Sequence, residues 1–68
     1  MRVKGENIKL IREAKGWSVE RLAEEAGVTR QAVESWEKGG VKTLRTLARI
    51  ADTLGIKAVS LLEEQHDS

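Results

Sequence analysis

The 68-residue chain has no cysteine, no proline, no phenylalanine and no tyrosine. Without cysteine there is no disulfide framework and no thiolate metal site, which fits a reducing compartment. Without proline, and with Ala, Leu, Glu and Lys plentiful, little breaks a helix and little favours a strand. No apolar run approaches the roughly 20 residues a membrane span needs, and no signal-peptide pattern opens the sequence. The expectation is a soluble, cytoplasmic chain. Its length allows one domain with one small core. Internal repeats, linkers and low-complexity runs are absent.

Charge is nearly balanced, at a formal net +1. Its distribution is less even. Residues 1–57 hold all 12 Lys and Arg against eight Asp and Glu, while the last 11 residues hold Glu63, Glu64 and Asp67 and no base. The body is mildly basic and the tail acidic. On charge alone, ordinary surface composition is the better account.

Glycines and capping residues divide the chain into about five helices. Gly5 to Lys15 carries Ile8, Ile11 and Ala14 at helical spacing, and Gly16 follows as a left-handed cap. Ser18 is the predicted N-cap of a second helix that buries Leu22, Ala23 and Ala26 and stops at Gly27. Thr29 caps a third helix, ended by Gly39-Gly40. Thr43 caps a fourth, whose apolar stripe reads Leu44, Leu47, Ile50, Ala51 and Leu54 before Gly55. A fifth spans about Ala58 to Glu64, with Val59 and Leu62 predicted to face inward. Helices this short depend on packing against one another.

The third helix carries the informative pattern. On a wheel at about 100° per residue, Ala32, Val33 and Trp36 fall on one side. Gln31, Glu34, Ser35 and Lys38 fall on the other, with Arg30 at the N-terminal flank. Two steeply packed helices, the second presenting fork-shaped polar side chains, make a unit that can read the major groove of DNA. Gln bonds adenine twice, and Arg forks onto guanine. A solvated face on a small bundle helix has the same appearance, and these residues alone leave both readings open.

Other residues point away from chemistry. Trp36 belongs to the core side, and Trp17 at the first corner is expected to be half-buried, with base stacking as a minor alternative. His66 has no metal-ligand partner at a usual spacing. Glu24 and Glu25 are adjacent on a helix and so diverge. There is no nucleophile–base set and no P-loop. The expectation is a non-enzyme with no metal, no cofactor and no evident small-molecule ligand.

Residues in order along most of the chain carry a resemblance. They are Ile11-Arg12, Gly16-Trp17-Ser18, Leu22-Ala23, Gly27-Val28-Thr29-Arg30-Gln31 and Trp36-Glu37-Lys38-Gly39, then Leu47, Ile50-Ala51, Leu54-Gly55 and Leu61-Leu62. From Ile8 to Leu62 the chain resembles the Cro/repressor-type helix-turn-helix family, the lambda-repressor-like DNA-binding domains. The resemblance implies an all-α, compact five-helix bundle with a helix-turn-helix formed by helices two and three. Residues 1–62 would be the DNA-binding domain, and 63–68 an acidic, flexible tail. It also implies a sequence-specific regulator of transcription that acts on double-stranded DNA in the nucleoid, a repressor or an activator.

Residue by residue, Arg30, Gln31, Glu34 and Ser35 match base-reading positions. Ser18, Thr29, Lys38, Lys42 and Arg45 match positions near the sugar-phosphate backbone, joined by N–H groups at the starts of helices two and three. Arg12 and Glu37 match a structural ion pair between helices one and three. Glu37 falls near the buried edge of the wheel and needs such a partner.

Two departures stand out. Val19 occupies a position where relatives often carry Gln, and can neither bond a phosphate nor buttress the first reader. The loop Gly39-Gly40-Val41-Lys42 is about one residue short of the common form and lacks its proline; its glycines permit left-handed backbone instead. A module this small gains affinity as a two-fold dimer on an inverted repeat. Leu61 on the fifth helix is the candidate dimer contact, with packing inside its own monomer as the alternative. A second functional class reuses the same fold as a protein-interaction module, of antirepressor or antitoxin-like kind.

Overall fold

A helix starts where a side-chain oxygen satisfies its first free N–H groups and stops where the backbone turns left-handed. The computed structural model describes residues 3–62 and shows both signals at the expected places. The helices are α1 (Gly5–Ala14), α2 (Val19–Ala26), α3 (Arg30–Gly39), α4 (Leu44–Leu54) and α5 (Ala58–Leu62). The side-chain oxygens of Ser18, Thr29 and Thr43 accept from the backbone N–H of Arg21, Ala32 and Thr46 at 3.0, 3.1 and 3.4 Å. At the other ends one stop recurs. The N–H of Trp17, Val28 and Ile56 donates to the carbonyl five residues back, on Arg12, Ala23 and Ala51, at 3.1, 3.0 and 3.0 Å. Each follows a left-handed glycine and packs an apolar side chain on the core, which fixes where the chain goes next. Gly27, at φ 72°, makes this reversal between α2 and α3, where a Cβ would be strained.

The core is built from Ile8, Leu22, Val33, Leu47, Ile50, Leu54 and Leu61, all fully buried, with Val3 and Val41 beside them. Burying one such side chain stabilises the fold by about 1.5–3 kcal/mol. α3 packs on both α1 and α2, and α4 packs on α2 and α5. Where α1 meets α3 the backbones nearly touch. A Cβ on Gly5 would overlap the carbonyl oxygen of Glu37. The partially positive start of α1 thus sits against the partially negative end of α3.

Three sequence expectations change. Leu44 is 66% exposed, so the α4 stripe begins at Leu47. Leu44 opens the helix, and helical side chains lean toward the N-terminus, which carries this one past the core. Val59 is 57% exposed whereas Leu61 is fully buried. Residues two apart on a helix point about 200° apart, so only one of them can face in. The inward pair is Ala58 and Leu61, and Asn7 Nδ2 anchors the turn by donating to the Leu61 carbonyl at 3.1 Å. Leu61 therefore has no surface to offer a second subunit, and its assignment as a dimer contact is withdrawn. The side chain of Leu62, the extension of α5 to Glu64 and the acidic tail with His66 lie outside the described residues.

One long-range element has no local signal. Val3 and Val41 form an isolated antiparallel bridge, with N···O distances of 2.9 and 3.0 Å. Among the described residues no helix is long and apolar enough to cross a membrane.

Candidate nucleic-acid interface

The polar face of α3 follows from what the opposite face buries. Val33 is fully buried, Trp36 is partly buried against the core, and Ala32 is partly buried beside them in the helix. Arg30, Gln31, Glu34, Ser35 and Lys38 are left exposed in one helix, the five outward positions of the wheel. They share a surface because a helix returns nearly to the same side every three to four residues.

Three tertiary contacts hold the α2–α3 unit and the loop after it on the body, and the first of them fixes α3 itself. Arg12 Nε donates to Glu37 Oε2 at 2.6 Å, and Arg12 Nη2 donates to Oε1 at 3.2 Å. These bonds make a two-pronged pair between α1 and the end of α3, with side chains only 8% and 12% exposed. Arg12 Nη1 also donates to the Trp17 carbonyl at 2.7 Å, so the same guanidinium ties down the corner before α2. The hydrogen bond to Glu37 pushes the Arg12 pKa above its ordinary value, outweighing burial, which acts the other way. A raised folded pKa means this contribution is complete below the unfolded guanidinium pKa and fades only in strong alkali. Arg12 therefore keeps its charge below strong alkali.

The second contact is Arg49 Nη1, which donates to the Ala26 carbonyl at 3.0 Å. It reaches from α4 to the last turn of α2, where a cation satisfies a carbonyl left open by the helix end. Sequence reasoning missed it, because nothing local marks Arg49 apart from Arg45, the other exposed base of α4. The third is the Val3–Val41 bridge. It anchors the chain just before Lys42, which is exposed, as is Arg45 in the first turn of α4.

Ser18 and Thr29 act as caps, their oxygens occupied as acceptors, but each hydroxyl proton remains available to donate. Val19, the departure at the start of α2, is partly buried and packs on the core, so the position serves packing rather than a polar contact. Trp17 is half-buried beneath two cations, with Lys15 Nζ 5.0 Å and the Arg21 guanidinium 4.6 Å from its ring centroid. Those cations compete for the ring that base stacking would use.

Arg30 is not bare. Its Nε donates to Glu34 Oε2 at 3.0 Å, and its Nη1 lies 3.4 Å from Glu20 Oε2. Glu34 was expected on this face; Glu20 was not. The hydrogen bond to Glu34 comes first among the causes that raise the Arg30 pKa, followed by the charges of Glu34 and Glu20.

Known proteins share this fold. A family model described as Helix-turn-helix matches residues 8–61. The SPbeta prophage-derived HTH-type transcriptional regulator YonR of Bacillus subtilis is 36% identical over 63 residues, covering 91% of this chain and 58% of that protein. The chain thus spans little more than half the length of that relative. Among solved structures, the biofilm master regulator SinR in complex with DNA superimposes with a TM-score of 0.78 at 31% identity, over 87% of this chain and 97% of that one. The restriction-modification controller protein C.AhdI from Aeromonas hydrophila gives 0.77 at 33% identity, over 84% and 88%. With a family model matching most of its length, this chain belongs to the helix-turn-helix family of transcriptional regulators.

Proposed function

We propose that the chain is a sequence-specific regulator of transcription that reads the major groove of double-stranded DNA with α3. The observation that carries this reading is the exposed face of Arg30, Gln31, Glu34 and Ser35 on a helix locked to its body by the Arg12–Glu37 pair. A face built for contact must be both open and rigidly aimed, and these side chains are the types that bond base edges. Relatives named as regulators, one of them solved on DNA, support the same reading.

In this reading Arg30 and Gln31 contact bases near the start of α3, and Ser35 and Glu34 contact bases further along; Glu34 accepts from cytosine N4–H. Ser18, Thr29, Lys38, Lys42 and Arg45 hold the sugar-phosphate backbone, with the N–H groups that open α2 and α3. Residues 1–62 form the DNA-binding domain, which works in the cytoplasm on the nucleoid. A single recognition helix spans only a few base pairs, so two copies on an inverted repeat supply the affinity. Their contact does not run through Leu61.

Selection of bound duplexes from a random pool, followed by sequencing, tests the proposal. The expected result is a short palindromic site. Binding to it should weaken with salt at a log–log slope of about −0.9 per neutralised phosphate. A pool with no enriched site, or duplex affinity indifferent to salt, would refute it and favour a module that binds protein.

A further inference from the structure

One side chain outside the proposed contact set reaches into it. Glu20 lies in the first turn of α2, and its Oε2 is 3.4 Å from Nη1 of Arg30, the first residue of α3. From the other side, one turn along α3, Glu34 accepts from Arg30 Nε at 3.0 Å. The guanidinium is thus shared between carboxylates on two different helices. All three side chains are at least half exposed, so packing does not force them together. The cluster holds one positive and two negative charges, a net −1, at the end of α3 where the first base contact is proposed.

We infer that Glu20 is a specificity-determining residue for DNA: it completes a two-carboxylate clamp on Arg30 that only a guanine at the matching position releases productively. The inference rests on the reading of α3 as the recognition helix.

The physical case turns on what each part of a duplex offers Arg30. Phosphates occur at every step and guanine edges only at some. A lone arginine here would be drawn to any backbone and would add affinity without selectivity. Inside the clamp its charge is overcompensated, so a phosphate meets net repulsion instead. A guanine presents O6 and N7 side by side, a two-acceptor edge that matches the guanidinium fork and replaces the carboxylate contacts. Released from Arg30, Glu34 has a place on the duplex, because a cytosine N4–H can donate to it. Glu20 has no such place. The first helix of this motif crosses the backbone, so a carboxylate in its opening turn faces phosphate and raises the cost of every complex. On the correct site the guanine contact offsets that cost; elsewhere nothing does.

The test uses the whole chain, a duplex selected with it from a random pool, and a scrambled duplex of equal length. Fluorescence anisotropy titrations compare Glu20→Gln, Glu24→Gln and Arg30→Gln with the natural sequence. Glu24 is exposed on the same helix and takes no part in the pairs at Arg30, so its variant carries the same charge change elsewhere. Glu20→Gln is expected to bind the scrambled duplex about three- to fivefold more tightly, the Coulomb effect of one charge roughly 4–7 Å from a phosphate in water. The selected site should gain less, so the ratio of the two affinities falls. Selection repeated with Glu20→Gln should show relaxed preference at the base pair where Arg30→Gln abolishes it. Glu24→Gln should leave the ratio unchanged.

An unchanged or larger ratio for Glu20→Gln, with Arg30→Gln still losing its base preference, would overturn the clamp and leave the recognition helix standing. Equal effects of the two glutamate variants would also overturn it, since bulk charge would then be sufficient. No selective binding by the natural chain, or no loss of preference in Arg30→Gln, would overturn the recognition helix and the clamp together.

Discussion

Replacing Glu37 with alanine strands a guanidinium that the fold has already taken out of water. Arg12 is 8% exposed and donates two hydrogen bonds to this one carboxylate. Losing one partner of a buried pair typically costs about 3–5 kcal/mol. Here Arg12 keeps the Trp17 carbonyl at 2.7 Å, and Glu13 stands 3.9 Å away, so some charge compensation survives. The lower end, about 3 kcal/mol, is therefore the expected loss. For a domain this small each kcal/mol moves the midpoint by about 4–8 °C, so the drop should be roughly 12–24 °C. Thermal unfolding followed by helical circular dichroism measures it directly. Glu34→Ala is the comparison, since it removes a carboxylate from an exposed pair on the same helix and should leave the midpoint near that of the natural chain. Replacing Arg12 and Glu37 together with leucine should recover most of the loss, because no buried charge is then stranded. Equal midpoints for Glu37→Ala and Glu34→Ala would refute the claim that this pair aims α3.

Further outcomes follow from particular contacts. Gly5→Ala sets a methyl against the Glu37 carbonyl and should cost at least about 1–3 kcal/mol, read as a lower midpoint in urea. Leu61→Ala should cost about 2–5 kcal/mol by opening a cavity, while sedimentation shows no change in how the chain associates. Gln31→Ala should lose about 1–3 kcal/mol of preference at one base pair in competition binding. Lys42→Ala should weaken every duplex alike and lower the magnitude of the salt slope by about 0.9. Matching behaviour of Gln31→Ala and Lys42→Ala would undo the division between readers and positioners.

What the chain states locally could be read from it, and what it states at a distance could not. Ser18, Thr29 and Thr43 cap helices through bonds to a residue three places on, so sequence alone placed those helix starts. The outward face of α3 was legible because Val33 and Trp36 define its inward side. The Val3–Val41 bridge joins residues 38 apart in sequence, and no periodicity signals an isolated bridge. The rotation of α5 was misjudged for a related reason. Five residues with apolar side chains at Val59, Leu61 and Leu62 favour no single face, and the choice is made by Asn7 and the core rather than by α5 itself. At Arg30 the i+4 acid was visible and the acid from α2 was not, since only the angle between the two helices brings Glu20 within reach.

The pairing of Val3 with Val41 has a practical consequence for anyone handling this molecule. It brings Val3 to the segment that leads directly into Lys42. A purification handle, dye or fused partner attached ahead of Val3 would emerge beside that lysine, where phosphate is proposed to dock. Weak or salt-insensitive binding by such a fusion would then report the attachment rather than the protein.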